Sequence, residues 1–467
     1  MEAYINTLSK YMIPVWMILY TLESFSVFRK KNENSRRGIY NRQLLFMFLV
    51  HLTCFLTMYS RTGNLQYIFF YAFQQLALFM FCMLFIMLYP DGNRLILQNT
   101  CMLLTVSFVV ITRLNFDKAI RQSVMAFFGM ILMILIPHFI HEFRKIKDLH
   151  FVMAFLGALA LSVVLLLGSI TNGSKISYSI LGVTFQPSEF VKILFVLFLA
   201  GALSASDSIR QIIYVTVIAA LHVLILTASK DLGSALIFFV VYIFMIFLAT
   251  GNLFYLVAGA LGGSIFSVLA YYIFPHIQVR VQAWKDPWSV INGQGYQISQ
   301  SLFAMGRGGM FGLGLMQGAS YKIPFVEQDF IFSAVAEELG LIFAFCLILV
   351  CLSTFLMMMN LSFQMHDRFL RLTAFGAGIL YVFQVFLTIG GGTKFIPLTG
   401  VTLPLVSYGG SSLVTTLILF GIEEGLFRLH QEEMEGRKMP RVRRKKINSG
   451  NDQTEKWERD NYEKEPE

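Results

Sequence analysis

The stretch "FVMAFLGALALSVVLLLGSI", residues 151–170, carries no charged side chain over its whole length. About 20 consecutive apolar residues are needed to cross the hydrocarbon core of a bilayer as a helix. A helix satisfies its own N–H and C=O groups where no water can, so a run of this kind reads as a membrane span. "ALIFFVVYIFMIFLAT" (235–250) repeats the pattern. Of 467 residues, 56% are hydrophobic and 14% charged, with 46 Phe and 23 Met. Soluble domains carry about 25% charged residues, so this composition falls short of what a water-facing surface requires. Length alone would suit two or three soluble domains, but the apolar runs overrule it. The expected fold class is all-α, a polytopic transmembrane helical bundle.

Runs of spanning length number about 13. They lie near 11–28, 44–60, 66–88, 97–113, 121–140, 150–170, 190–204, 211–228, 233–249, 253–274, 330–358, 369–389 and 410–428. The first is followed rather than preceded by its basic cluster, so no cleavable signal peptide is expected. "RKKNENSRR" (29–37), "HEFRKIK" (141–147), "MHDRFLR" (365–371) and "RKMPRVRRKK" (437–446) all fall on one side under this count. The positive-inside rule makes that side cytoplasmic, with the N-terminus outside and the C-terminus cytoplasmic. "TRLNFDKAIR" (112–121) lands outside as the one sizeable exception. Three polar loops with Gly and Pro also land outside: 171–189, 275–328 and 390–412. Function is expected on that face. The tail from about His430 to Glu467 lacks apolar periodicity and reads as disordered. Its basic first half could rest on anionic membrane lipids or act only as a topology signal.

Ionisable groups in or at the ends of spans are costly and point to function by default. Glu189 and Lys192 stand three apart on one helical face, where they could pair. Lys230 and Asp231 occupy the outer end of a span, Glu337 and Glu338 lie inside the span after the long loop, and Lys394 sits in the last outer loop. The plain alternative for each is a helix-end charge or an ion pair that only fixes packing. Glu423 and Glu424 read as interfacial, and Glu23 has no evident partner. His138 and His141 are two ligands at most, too few for a metal site. "GRGGMFGLGLMQG" (306–318) lacks a Walker lysine–serine, so its glycines read as permitting turns and close helix approach. No nucleic-acid partner is expected. Cys54, Cys82, Cys101, Cys346 and Cys351 form no Cys-x-x-Cys pair and read as inert buried thiols.

Four stretches together resemble the shape, elongation, division and sporulation (SEDS) family of bacterial membrane proteins, the FtsW/RodA/SpoVE group. They are "FQPSEFVKI" (185–193), "KDLGSAL" (230–236), "GYQISQSLFAMGRGGMFGLGL…QDFIFSAVAEELG" (295–340) and "PLTGVTLPLVSYGGSS" (397–412). The resemblance covers roughly residues 95–430, with a large extracytoplasmic loop at 275–328. It leaves 1–94 as an additional N-terminal transmembrane region of about three spans and 431–467 as a tail. It implies polymerisation of lipid II, the undecaprenyl-pyrophosphate-linked disaccharide, at the outer face of the plasma membrane, beside a class B penicillin-binding transpeptidase. Such a reaction wants a carboxylate to take the proton of the attacking hydroxyl. It also wants cations for the leaving pyrophosphate, from Arg280, Lys192, Lys230, Lys394 or a divalent ion such as Mg or Mn.

Glu189, Lys192, Asp231, Asp329, Glu337, Glu338, Ser407, Gly409 and Gly410 match the family's motif positions. Thr388 replaces its usual asparagine. The resemblance places the catalytic acid three residues before Gly293, where this chain has Val290. The nearest acid, Asp286, either takes over that role or only caps a turn with Pro287. Two other readings stay open: a non-catalytic member that scaffolds or regulates the cell-wall synthase, and a transporter that flips lipid II. No inverted repeat is evident, which weakens the last.

Overall fold

The structure is a computed structural model that describes residues 2–30, 32–171, 174–180, 183–206 and 208–438. Its helices are α1 (Glu2–Arg29), α2 (Glu33–Thr62), α3 (Gln66–Leu88), α4 (Arg94–Leu114), α5 (Phe116–Leu135), the single turn α6 (Phe143–Ile146), α7 (His150–Leu167), α8 (Pro187–Ala205), α9 (Ile209–Ala228), α10 (Leu232–Thr250), α11 (Leu253–Ile273), α12 (Pro275–Lys285), α13 (Gln294–Gly308), α14 (Ile331–Gln364), α15 (Arg368–Gly392) and α16 (Gly410–Lys438). Every predicted span has a helix. Twelve of these, among the described residues, are long and apolar enough to cross a membrane. The thirteenth, α16, has an apolar first half and a charged second half.

Helix ends follow local chemistry. Asn93 caps α4 by accepting from the Ile96 amide at 3.3 Å, and Asp231 caps α10 by accepting from Ser234 at 3.1 Å. Such caps satisfy amides that have no partner inside the helix. α4 is buried along nearly its full length, enclosed by α1–α3, α5 and α14. All five cysteines are buried and unbridged.

The structure departs from the sequence reading in several places. Three short strands, β1 (Ser169–Thr171), β2 (Ser174–Ile180) and β3 (Val183–Phe185), form an antiparallel sheet in the order β1-β2-β3. The loop at 275–328 is largely folded, holding α12, α13 and 3-10 turns at Pro287–Val290 and Ser320–Lys322. The helix α13 turns Ile298, Ser301 and Ala304 inward, a 3–4 spacing too short to register as a span. α16 continues as helix through Lys438, helped by Arg428 and Glu432 at i,i+4, 3.8 Å apart. The basic stretch from 439 onward lies outside the described residues. Glu23 does have a partner, since Arg42 donates to both its oxygens at 2.6 and 3.0 Å. Glu423 and Glu424 are fully buried rather than interfacial, and Glu424 accepts from the Asn93 amide at the start of α4.

Candidate functional site

The three polar loops meet at one end of the bundle. The Gln186 amide donates to Ser411 Oγ at 3.0 Å, and Trp284 Nε1 donates to the Lys394 carbonyl at 3.1 Å. Ser407 Oγ donates to the Gln328 carbonyl at 2.5 Å and accepts from the Leu403 amide at 2.9 Å. Ser407, one of the matched motif positions, is therefore buried and spent on tying two loops together. Thr388, in the asparagine position, donates to the carbonyls of Gln384 and Val401 and so anchors the same loop.

The charged residues read from the sequence separate into two groups. Glu337 and Glu338 stand at a kink of α14 and organise the loop 309–318. Glu338 accepts from Arg113 Nε at 3.0 Å and from the amides of Met316 and Gly318 at 2.9 and 3.2 Å. Arg307 Nη2 lies 2.6 Å from Glu337 Oε1. Beside them Lys118 pairs with Glu327 and lies over the Tyr408 ring. The excess of basic residues at 112–121 therefore has a structural account: Arg113 and Lys118 are held by carboxylates of the loop end. Neither pairing was visible in sequence, because Arg113 and Glu338 are 225 positions apart and Lys118 and Glu327 are 209 apart.

The second group includes Arg280, the one charged residue in the wall of an apolar cavity. Lys192 Nζ lies 2.8 Å from Glu189 Oε1 and donates to Gln384 Oε1 at 3.1 Å. Gln384 in turn donates to Thr402 O and Ser412 Oγ. The pair expected from spacing is present, almost wholly buried, and linked to the last loop. Asp231, besides its cap, accepts from Ser188 Oγ at 3.1 Å. Arg280 of α12 donates to the carbonyls of Leu398 and Thr399 at 3.4 and 3.2 Å. Asp329 lies across from it. A Cβ placed on Gly400 would stand 3.9 Å from Asp329 Oδ2 and 4.0 Å from Arg280 Nη2, so both side chains face one glycine-sized gap. Lys230 and Lys394 both adopt left-handed backbone, φ 61°, at turns that close α10's approach and α15's end.

Electrostatics around Arg280 is distinctive. Burial pushes the Asp329 carboxyl up to about 7, against the pull of Arg280 and with a push from Glu327. Burial lowers the Arg280 guanidinium, which Asp329 and Asp231 partly restore. His276, one turn before Arg280, is lowered by burial and by Arg280 and Lys230.

Arg280 also lines an apolar cavity of about 950 Å³ between α9, α10, α11, α12 and α15, with Phe239, Phe266, Phe383 and Leu398 on its walls. α11 is exposed along almost its whole length and touches the bundle chiefly through α10, where Gly259 and Gly263 sit against Ile243 and Phe239. A cavity of this size and lining suits an alkyl chain with a charged head at its end.

Asp286 stands apart. It is exposed, and its Oδ1 accepts from the Trp288 amide at 3.1 Å, capping the 3-10 turn that Pro287 opens. Val290 ends that turn and packs partly against the core. Among the described residues no group of three or more His, Cys, Asp or Glu is placed to hold a metal ion.

A family model described as cell cycle protein, the FtsW/RodA/SpoVE model, matches residues 93–433. The peptidoglycan glycosyltransferase RodA of Mycobacterium tuberculosis is 31% identical over 362 residues, covering 71% of this chain and 77% of the relative. The FtsW protein of Aliivibrio salmonicida is 32% identical over 335 residues, covering 68% and 83%. A solved structure described as a peptidoglycan synthase complex that coordinates polymerization and crosslinking superposes with a TM-score of 0.64 at 24% identity, covering 72% of this chain and 98% of that one. The crystal structure of Thermus thermophilus RodA gives 0.54 at 23% identity, covering 72% and 97%. The chain is a multi-pass bacterial membrane protein of the FtsW/RodA/SpoVE (SEDS) family, whose named relatives are peptidoglycan glycosyltransferases.

Proposed function

We propose that this protein polymerises lipid II at the outer face of the plasma membrane, acting beside a class B penicillin-binding transpeptidase. The observation that carries the reading is the apolar cavity with Arg280 as the one charged residue in its wall. It fits a polyprenyl chain inside and a pyrophosphate at the rim, where a guanidinium can meet the charge that grows on the leaving group. Arg280 also has two backbone carbonyls fixing its direction. Lys230, Asp231, Lys394 and the Glu189–Lys192 pair would shape the surrounding surface, and the loop end of the bundle would face outward. In this reading Glu337, Glu338 and Ser407 support the site from behind.

The test is polymer formation from lipid II by the purified full chain with its transpeptidase. Arg280→Ala should lower kcat/KM by about 10²- to 10³-fold, and Arg280→Lys should recover part of the loss. An unchanged rate in Arg280→Ala would remove Arg280 from the reaction.

A second reading rests on Val290. A side chain without a proton acceptor at the matched position favours a non-catalytic member that binds lipid II or the transpeptidase and scaffolds synthesis. Binding of lipid II without any turnover in the same assay would support it.

A further inference from the structure

The carboxylates at the loop end can be sorted by what already engages them. Glu338 accepts from Arg113 and two amides. Glu337 faces Arg307, Glu327 pairs with Lys118, and Glu189 pairs with Lys192. Asp231 caps α10 and accepts from Ser188. Asp286 caps its own turn on the surface of the loop. Asp329 differs from all of these. Among the described residues neither a hydrogen bond nor an ion pair engages its carboxylate, part of its surface stays accessible, and it looks across the gap at Gly400 towards Arg280, the charged residue in the cavity wall.

Resting on the glycosyltransferase reading above, we propose that Asp329 is the general base of this chain, doing across the Gly400 gap from Arg280 what Val290 cannot. The acceptor sugar's hydroxyl gives its proton to the Asp329 carboxylate as its oxygen bonds to the donor's anomeric carbon. The bond from that carbon to the pyrophosphate oxygen breaks, and its electron pair leaves with the lipid pyrophosphate beside Arg280. Placing base and cation on either side of one gap brings proton acceptance and leaving-group stabilisation to the same reacting centre, which is what a concerted displacement requires. A half-buried carboxylate raised to about 7 is also well matched to a hydroxyl near neutral pH. The charged groups that bear on it are Arg280 and Glu327 (itself held by Lys118); Asp231 bears in turn on Arg280, and Arg280 and Lys230 on His276.

The experiment compares wild type, Asp329→Asn, Asp329→Glu and Asp286→Ala as purified full chains with the transpeptidase, scoring polymer from lipid II and binding of lipid II separately. Asp329→Asn should lose at least about 100-fold in turnover with binding kept within about threefold. Asp329→Glu should restore turnover with its acid limb displaced, a change that a merely structural role would not produce. Asp286→Ala should stay near wild type. In wild type the rate should fall as pH drops through about 7, because the base must be deprotonated and its folded value lies there. Active wild type with an active Asp329→Asn, or with a dead Asp286→Ala, overturns the assignment of the base alone. A wild type that binds lipid II but makes no polymer overturns the glycosyltransferase reading, and this inference with it.

Discussion

Acidic side chains of one type meet very different fates here, and the neighbours decide which. Glu338 is a fixed strut: three donors hold it, and it in turn holds the loop 309–318 to α14. Removing one partner of a buried ion pair leaves an uncompensated charge, at a cost of about 3–5 kcal/mol. Glu338→Ala should therefore lower stability by that amount in denaturant titrations in detergent, and Arg113→Ala by a similar amount. The loss should be absent in Asp286→Ala, whose carboxylate caps one exposed turn. Sequence reasoning reached the Glu189–Lys192 pair because a helix brings i and i+3 together. It could not reach Arg113–Glu338, Lys118–Glu327 or Arg42–Glu23, since nothing local relates those positions. It misplaced Glu423 and Glu424 for the same reason: their burial depends on α5, the 3-10 turn Ile136–Glu142, α8 and α15 packing around α16.

At the scale of elements, long apolar runs announced each spanning helix, and amphipathic pieces hid among loop residues. α12 and α13 went unread as helices because each is shorter than a span; α13 is apolar on one face only, and α12 is polar with Ala283 alone buried. The kink of α14 is the most demanding junction. Gly340 adopts φ 93°, ψ 164°, and its missing hydrogen-bond ladder is replaced by the loop: the Leu313 and Gly314 amides donate to the carbonyls of Glu337 and Glu338, and the Leu341 and Ile342 amides to those of Gly309 and Met310. A Cβ at Gly340 would lie 2.4 Å from the Gly312 amide nitrogen and the Met310 carbonyl oxygen. Backbone in this region costs a side chain about 1–3 kcal/mol before any clash is counted. Gly340→Ala should accordingly drop the thermal midpoint sharply and expose 309–318 to proteolysis. Gly262→Ala on α11, where a Cβ meets nothing within 4 Å, is the matched control. It should be neutral or stabilise by about 0.4–1 kcal/mol.

Across the whole molecule, α1–α3 precede the segment matched by the family model and are nonetheless built into the bundle. α1 packs on α14 and α2 on α4. Tyr20 donates to Asn99 Oδ1 at 3.0 Å, while Asn99 Nδ2 donates to Ser353 and Thr354 at 2.8 and 3.0 Å. One buried amide thus joins α1, α4 and α14. Asn99→Ala would strand the Tyr20 hydroxyl, which costs about 1–3 kcal/mol. A double-mutant cycle with Tyr20→Phe should recover most of that loss if this bond couples the extra helices to the rest, and a purely additive cycle would argue against it. The three polar loops do meet at one end of the bundle, as their placement between spans suggested. Which residues of those loops face the cavity and which only brace them was settled by packing that no motif encodes.

The most direct test of the central claim is lipid II polymerisation by the purified full chain with its transpeptidase, in wild type and Val290→Asp. Wild type should make polymer, with Val290→Asp adding little because a working base already stands opposite Arg280. A silent wild type that gains polymerisation in Val290→Asp would contradict it, and would mark the chain as a scaffold whose catalytic carboxylate has been lost.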